Sequence, residues 1–409
     1  MTDKISYLMT NLPRGWEVKK LGDIVKLKNG FAFKSNLFCN DGIPIIRIKN
    51  IQNENIILDD LVFCNPSDYK NNLDNYLIFK NDILIAMSGA TTGKIGLYNL
   101  NNKAYLNQRI GLLRIDNNIL RKYIFWFLYC NSEKNLTNAF GAAQPNLSTE
   151  QIHNIKIPLP PLKEQERIVG ILDESFANID ESIKILEQDL LNLDELMQSA
   201  LQKAFNLLKD NAKENYQLPQ GWEWKSLGEI CEVIMGQSPN GNCIFDKDKN
   251  KDLIEFHQGK IAFSDKYINK SNFVTSDVRK IAKKNSVVLC VRAPVGEVNI
   301  ASKNIAIGRG LCSLNGIKVN NEFLFFYLLT LKKYFNDNST GSTFKAINVK
   351  IIKEAKIPLP PLQEQEQIAS YLDELSLNIK DLKQNYQTQI KNLQELKKSL
   401  LDRAFKGRL

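Results

Sequence analysis

Apolar residues recur at alternating intervals of three and four along the middle of the chain, and this spacing predicts a long helix with one apolar face. The pattern holds from residue 169 to residue 204, an a/d seam over five heptads. Pro160 and Pro161 precede it and fit the first turn of a helix, where a missing N–H costs nothing. About 42 residues at 1.5 Å each give a rod of roughly 60 Å. The seam comprises Val169, Leu172, Phe176, Ile179, Ile183, Leu186, Leu190, Leu193, Met197, Ala200 and Ala204.

A second long helix is predicted from about Leu362 to Phe405, with a less regular seam. Arg403, Lys406 and Gly407 form a typical C-terminal signature. A helix with one apolar seam needs a partner, and the simplest partner for each helix is the other. If duplicated halves are related by a pseudo-twofold axis, the two helices run antiparallel. The second seam comprises Leu372, Leu375, Ile379, Leu382, Tyr386, Ile390, Leu393, Leu396 and Leu400.

The region before each helix contains short strand-like runs separated by Asn, Asp and Gly turns, followed by one apolar helix. In the first region the helix is expected at about Leu120–Tyr129, and the strand-like runs are 42–51, 82–89, 94–100 and 108–115. In the second region, residues 286–300 correspond to the run that begins at 82, and 308–314 correspond to 108–114. The helix there is expected at 320–331. The pattern is that of α/β (α+β) domains with mixed strands.

Two motifs occur twice, which indicates an internal duplication. LPRGWEVKKLGDI (12–24) returns as LPQGWEWKSLGEI (218–230), and IPLPPLKEQE (157–166) returns as IPLPPLQEQE (357–366). Leu-Pro favours an extended entry, and Leu-Gly-x-Ile is expected to dock a short helix onto a sheet. The predicted domains are a first head (1–157), a central long helix with a polar connector (158–212), a second head (213–357) and a C-terminal long helix (358–409).

Charge is divided unevenly among these segments. The heads carry +6 (19 basic, 13 acidic) and +8 (22 basic, 14 acidic), whereas the segments with the helices carry −6 (5 basic, 11 acidic) and +1 (8 basic, 7 acidic). Basic heads suit a polyanionic partner, and an acidic helix would be repelled by one. The charge alone is also compatible with an ordinary solvated surface.

A cytoplasmic location is expected, because neither a signal peptide nor a membrane-spanning run is visible in the sequence. Seven single cysteines without a CxxC pair suggest reduced core thiols, and only two histidines are available for a metal or triad site. The first ten residues lack the apolar segment of a signal peptide. The longest apolar runs have seven residues, far short of the ~20 that cross a bilayer.

No motif supports catalysis in this chain. Gly89 to Lys94 has three residues between its glycines instead of the four of a phosphate-binding loop, and Ile95 replaces the Ser or Thr that would bind magnesium. The Pro-Pro pairs are flanked by leucines, unlike the Asn/Asp-Pro-Pro-aromatic signature of amino-methyltransferases. Glu354-Ala355-Lys356 has nuclease-like spacing but lacks an acidic partner. No metal or cofactor is therefore expected to bind this chain.

Polar and basic residues at turns of both heads are the candidates for contact with DNA. Arg and Lys read guanine or hold phosphates, and Asn and Gln read adenine. For any single residue a solvated surface position is the simpler interpretation, so the set depends on its recurrence in both heads. The candidates are Lys28, Asn29, Lys34, Arg47, Lys49, Asn50, Ser88, Thr91, Thr92, Lys94, Gln108, Arg109, Gln144 and Asn146 in the first head, and Gln237, Ser238, Asn240, Lys260, Arg292, Arg309, Ser342, Thr343 and Lys345 in the second.

The paired LPxGWExxxLGxI openings, the paired IPLPPLxEQExI motifs and the divergent basic region before each helix resemble the specificity subunit of type I restriction-modification systems. The resemblance covers nearly the whole chain, with both motifs in the same order. It implies two target-recognition domains, each reading one half of a bipartite, asymmetric site in double-stranded DNA. The two helices would set the spacer between the half-sites.

The resemblance also implies partners. The helices would dock two methyltransferase subunits, and restriction (motor-nuclease) subunits would join that core. S-adenosylmethionine would belong to the methyltransferase subunits, ATP and Mg to the partner subunits, and none of them to this chain. No membrane partner is implied. The alternatives from other classes are a coiled-coil scaffold that joins two protein-binding heads without touching DNA, and an enzyme that acts alone on nucleic acid.

Overall fold

The computed structural model describes residues 12–52, 54–132, 146–205, 218–247, 252–341 and 345–409. The chain forms two compact units, Met1–Leu186 with Thr388–Leu409, and Glu187–Gln387. Each unit contains one head and segments of both long helices. The units therefore cut across the helices, whereas the sequence suggested that heads and helices are separate segments.

The described part of the first head contains two larger sheets and one strand pair. The larger sheets have the orders β6-β3-β10-β7 and β2-β11-β8-β9-β5-β4. Most neighbours are antiparallel, but β3 with β10 and β5 with β9 are parallel, which confirms the predicted mixture. The strands are β1 (Glu17–Lys20), β2 (Leu27–Asn29), β3 (Ile43–Ile46), β4 (Ile51–Gln52), β5 (Glu54–Ile56), β6 (Val62–Cys64), β7 (Leu77–Ile78), β8 (Ile83–Ala86), β9 (Ile95–Leu97), β10 (Ala104–Leu106), β11 (Ile110–Leu113) and β12 (Lys156–Leu159).

The described part of the second head repeats this plan. Its sheets have the orders β14-β22-β19-β20 and β15-β17-β16-β21-β18, with β16 and β21 parallel. The strands are β13 (Glu223–Ser226), β14 (Cys231–Met235), β15 (Ile244–Asp246), β16 (Ile254–His257), β17 (Phe273–Thr275), β18 (Ile281–Ala282), β19 (Val287–Cys290), β20 (Val298–Ile300), β21 (Ile305–Ile307), β22 (Leu311–Gly316) and β23 (Lys356–Leu359).

The helices agree closely with the predicted ones. Asn117 and Asn320 cap the apolar helices of the two heads, and each accepts a hydrogen bond from a backbone N–H of the first turn. None of the described helices is long and apolar enough to span a membrane. The helices are α1 (Leu21–Ile24), α2 (Asn118–Cys130), α3 (Thr149–His153), α4 (Leu162–Ala204), α5 (Leu227–Ile230), α6 (Asn321–Thr330), α7 (Lys332–Asp337), α8 (Val349–Glu354) and α9 (Leu362–Phe405).

The two repeated motifs pair with each other in space. In the first unit β1, from the LPxGWE motif, is antiparallel to β12, from the IPLPP motif, with Val18 opposite Pro158. In the second unit β13 and β23 pair in the same register, with Trp224 opposite Pro358. Each pair thus joins the start of a head to its end, just before the long helix begins.

The core of each head continues onto the long helices. In the first unit, Trp126 of α2 packs edge-on against Phe176 of α4, and Tyr123 packs against Phe405 of α9. In the second unit, Phe205, directly after α4, packs against Phe323 and Tyr327 of α6. The heads are therefore fixed on the helices by buried aromatic contacts.

The long helices run antiparallel in each unit. In the first unit, Asp180 pairs with Lys397 at 2.6 Å, and Arg167, earlier in α4, bonds the carbonyl of the later Leu409. In the second unit, Asp194 pairs with Lys383, and a later part of α4 around Ala200 shares a core with Leu372 of α9. All members of the α4 seam are buried or half-buried, as predicted.

The seam of α9 departs from prediction at two leucines. Leu382 and Leu396 are 40% and 46% exposed, and the lysine after each faces the partner helix instead. Lys397 is only 13% exposed and lies 4.8 Å from the centre of the Phe176 ring. The two leucine–lysine pairs are two heptads apart, as are their partners Asp180 and Asp194.

Candidate nucleic-acid interface

In the first head, three chain turns are hydrogen-bonded into one rim. The turn between β10 and β11 is held by Gln108, whose N–H donates to the carbonyl of Phe31 (2.8 Å). The loop after β8 joins the same turn, since the Met87 N–H donates to the carbonyl of Arg109 (3.0 Å). Ser88 then forms a β-bridge with Asn146. The rim thus brings candidates from distant parts of the sequence together.

A 3₁₀ turn after β3, Ile48–Asn50, adjoins this rim. Thr91 donates its hydroxyl to the carbonyl of Ile48 (3.1 Å), which ties the turn to the loop after β8. Arg47 donates from Nη2 to the carbonyl of Asp60 (2.8 Å), and Lys49 binds the Asp60 carboxylate (3.0 Å). The hydrogen bond and the charge of Lys49 lower the pKa of Asp60.

Two candidates of the first head lie inside it, so their side chains cannot contact DNA as expected. Asn50 is 1% exposed; its Oδ1 accepts from the Arg47 N–H, and its Nδ2 donates to the carbonyls of Ile57 and Asp59. Thr92 is 3% exposed, and its hydroxyl donates to the carbonyl of Gly89 (2.6 Å). Short polar side chains at turns often serve the local backbone, which explains both positions.

The remaining first-head candidates are accessible to different degrees. Lys28, Asn29, Lys34, Lys49, Gln108, Arg109 and Asn146 are exposed, and Arg47, Ser88, Thr91 and Lys94 are half-buried. The Ser88 hydroxyl and Arg47 Nε have no hydrogen-bond partner within the described residues. Lys94 donates to Gln52 (3.0 Å), and Asn29 donates to Thr149 (3.1 Å). Gln144 lies outside the described residues.

The second head builds the same rim with the same backbone hydrogen bonds. The Gln237 N–H donates to the carbonyl of Ile307, as that of Phe31 does to Leu106. The Val291 N–H donates to Gly310, as that of Met87 does to Arg109. Arg292 bridges Ala346 where Ser88 bridges Asn146. The frame is therefore common, and the side chains that it carries differ.

This register corrects one sequence alignment. The sequence placed 308–314 opposite 108–114, which would match Arg309 with Arg109. In the structure Leu314 pairs with Val287 as Leu113 pairs with Ile83, so Arg309 corresponds to Gln108 and Gly310 to Arg109. The match by residue identity was therefore wrong by one position. The correspondence is decided by the hydrogen bonds between strands, which residue identity does not show.

The second-head candidates lie on or close to its rim. Ser238 is half-buried, and its hydroxyl donates to Gln258 (2.9 Å) and accepts from the Arg309 N–H (3.3 Å). Ser342 and Thr343 lie outside the described residues. The exposed candidates are Gln237, Asn240, Lys260, Arg292, Arg309 and Lys345.

Gly30 in the first head and Gly236 in the second allow two backbone segments of the same rim to approach closely, and they occupy equivalent positions. A Cβ on Gly30 would lie 2.1 Å from the carbonyl oxygen of Asn107, and one on Gly236 would lie 2.2 Å from that of Gly308. Only glycine allows this approach of two backbone segments. Neither glycine was predicted from the sequence to have this role; each directly follows a strand, β2 or β14, and the reason for it is visible only in the fold.

A charged cluster beneath the second rim was not predicted from sequence. Glu255 is buried, and it accepts hydrogen bonds from Lys247 and from Lys303 (2.6 Å). Burial raises the pKa of Glu255, but these lysines outweigh burial and lower it to about 2. His257 lies beside it, 3% exposed, with Nε2 3.6 Å from the carboxylate and without a hydrogen-bond partner within the described residues.

Comparison with known proteins agrees with this duplicated architecture. The family model described as the type I restriction modification DNA specificity domain matches residues 13–190 and again 219–392. The two halves of the chain are therefore two copies of one DNA specificity domain. The chain belongs to the family of specificity subunits of type I restriction-modification systems.

Individual relatives cover almost the whole chain. The protein described as the MjaX type I restriction enzyme specificity subunit of Methanocaldococcus jannaschii is 31% identical over 97% of this chain and 94% of its own. The StySPI specificity subunit of Salmonella potsdam is 28% identical over 97% and 90%.

Two solved structures share the fold along the full chain. A chain from a study of assembly and conformational transition of the type I R-M system has a TM-score of 0.79 and 28% identity, covering 98% of this chain and 100% of that one. The HsdS subunit from Thermoanaerobacter tengcongensis has a TM-score of 0.63 and 26% identity, covering 98% and 99%.

Proposed function

We propose that each head of this DNA specificity subunit reads one half of a bipartite, asymmetric site in double-stranded DNA. The observation that carries the proposal is the common rim. Equivalent backbone positions carry Gln108 in the first head and Arg309 in the second, and Ser88 in the first and Arg292 in the second. Arginine and glutamine favour different bases in the major groove, so such differences suit two different half-sites.

The paired helices α4 and α9 are proposed to set the spacer between the half-sites and to dock two methyltransferase subunits. The segment that contains α4 carries −6, which favours protein contact over contact with DNA. Apolar side chains also remain on the outside of these helices: Leu191 is 58% exposed and Leu377 is 56% exposed. Ile185 and Leu196 on α4 and Tyr371 on α9 are also exposed, so apolar side chains recur along both helices, and a recurring apolar surface suits a protein interface.

Catalysis is assigned to the partners, so this subunit itself is proposed to be non-catalytic. S-adenosylmethionine would be bound by the methyltransferase subunits, and ATP and Mg by partner subunits of the assembly. Restriction subunits would join the methyltransferase core. This division fits a chain whose sequence lacks a recognisable catalytic motif.

A domain exchange tests the proposal. Residues 12–157 are replaced by the first head of another family member, and methylated bases are mapped across the host genome before and after. We expect one half of the methylated motif to change and the other half, with the spacer, to persist. As a control, deletion of the gene should abolish methylation of the motif. A change in both halves, or in neither, contradicts independent reading by the two heads.

A further inference from the structure

Ile261 is a fully exposed apolar side chain on the second rim. It is the middle residue of the 3₁₀ turn Lys260–Ala262 and is 101% exposed. The turn is held firmly, because the Phe263 N–H donates to the carbonyl of Lys260 and the Asn269 N–H donates to that of Ala262, both at 2.8 Å. An isoleucine is thus presented to solvent on an ordered turn.

The surroundings of Ile261 belong to the proposed DNA-reading rim. Gly310 approaches the carbonyl of Gln258 so closely that a Cβ on it would lie 2.4 Å away, which joins this turn to that of Arg309. Lys260 is exposed directly beside Ile261, and Arg309 is exposed on the adjoining turn. The isoleucine therefore stands among cations that suit phosphate groups.

The first head carries a different residue at the same place. The strands β3 and β16 correspond, since each pairs in parallel with the strand that leads into the rim turn. A 3₁₀ turn follows each, and its middle residue is Lys49 in the first head and Ile261 in the second. The turn starts one residue later in the second head, and Lys49 is bound to Asp60, so the equivalent turns of the two heads present different chemistry.

A single exposed isoleucine between Lys260 and the turn of Arg309 does not suit a protein partner, because protein interfaces need a contiguous apolar patch. DNA offers a matching group: in the major groove the thymine 5-methyl is the apolar feature of the base edges. We propose that Ile261 contacts a thymine methyl group in the half-site read by the second head, and so acts as a specificity-determining residue. This proposal rests on the proposed function of the heads.

The test compares thymine with uracil, which lacks only the methyl group. The full chain, co-purified with its methyltransferase subunits, is titrated with a duplex of the mapped methylation motif. A second duplex carries uracil at the thymines of the second half-site, and a third carries a scrambled motif. Ile261→Ala is compared with the matched control Ile317→Ala, since Ile317 is 67% exposed at the far end of β22.

We expect the wild type and Ile317→Ala to bind the uracil duplex about fourfold more weakly than the thymine duplex, as loss of one buried methyl implies. Ile261→Ala should bind both at the weaker level. If the wild type binds the scrambled duplex more weakly but binds the uracil and thymine duplexes equally well, the contact with thymine is refuted while sequence-specific DNA binding stands. A half-site without thymine on either strand also refutes it. Failure to distinguish the scrambled duplex overturns both proposals.

Discussion

Single side chains on the two rims differ in how firmly the protein already holds them. The side chains of Asn50 and Thr92 form hydrogen bonds with neighbouring backbone carbonyls. Arg309 and Gln237, by contrast, are exposed at turns whose backbone is fixed by hydrogen bonds. A fixed backbone with a free side chain reduces the entropy lost on binding. The exposed residues are therefore the ones on which base reading is expected to depend.

His257 gives the second head a pH dependence. Burial lowers the pKa of His257, and the charges of Lys303 and Lys247 add to burial, against the opposing effect of Glu255. The unfolded chain takes up a proton near its ordinary pKa of 6.5, while the folded head resists it. The contribution of His257 to the stability of the head is thus fully present above pH 6.5 and is lost as pH falls below it.

We expect His257→Ile, which copies Ile46 of the first head, to remove this loss between about pH 7 and pH 5. The measurement is amide hydrogen exchange of β16 as a function of pH, corrected for intrinsic rates, with the amides of β8 in the first head as internal control. Below about pH 4.5 both proteins should weaken, since the lowered pKa of Glu255 stabilises the folded state only above that range. An unchanged profile between pH 7 and 5 would count against His257.

The long helix α9 follows its predicted apolar seam at most positions but not at all of them. The sequence period made Leu382 and Leu396 seam residues, yet Lys383 and Lys397 face α4 in their place. Lys397 can do so because its ammonium lies over the face of the Phe176 ring, 4.8 Å from the ring centre, and pairs with Asp180 at 2.6 Å. An inward lysine that pairs with an aspartate of the facing helix favours a single register of the two helices.

Reversing this charge should destabilise the first unit. Lys397→Glu places a carboxylate beside Asp180 and Glu54, and we expect a loss of about 2 kcal/mol in the free energy of unfolding, seen as a lower melting temperature. Adding Asp180→Lys should restore part of that loss by rebuilding the pair. Lys397→Met, which keeps an unbranched side chain beside Phe176 but removes the charge, serves as the control and should change stability little. Equal losses in all three variants would mean that shape, and not charge, sets the register.

At the scale of the whole molecule, charge distinguishes the surfaces of the heads from that of the α4 segment. The heads are basic and the α4 segment is acidic, so DNA and protein partners are directed to different parts of the chain. The exposed cations among the DNA-contact candidates of the two heads are Lys28, Lys34, Lys49, Arg109, Lys260, Arg292, Arg309 and Lys345. Contact of several of these with phosphates would release bound counterions.

Binding to DNA is therefore expected to weaken steeply with salt. The slope of log K against log salt should be steeper than about −4, from titrations of a duplex carrying the motif. Lys260→Gln should reduce the slope by about 1, because Lys260 is an exposed cation that suits a phosphate group. Lys318→Gln is the matched control, because Lys318 is exposed at the end of β22 that lies opposite the rim. A flat salt dependence would speak against basic heads on DNA.

Local patterns were sufficient for the long helices, the apolar helix of each head and the duplication. The predicted second rod, from Leu362 to Phe405, has the limits of α9, because helix periodicity and end signals act within a few residues. The strand-like run at 108–115 contains β11, whereas β10 and β21 went unrecognised. Short strands depend on partners that are distant in sequence.

The chain by itself therefore determined the two-headed plan and the antiparallel helices, through repeats and periods that can be read residue by residue, and the class of function followed from the resemblance of the paired motifs to a known family. The tertiary structure decided which rim residues correspond, that Asn50 and Thr92 are buried, that lysines enter the helix seam, and that Ile261 stands fully exposed. Each of these depends on hydrogen-bond register or packing between segments far apart in sequence. Local sequence patterns do not determine which residues of two distant segments pair, or which side of an element each residue faces.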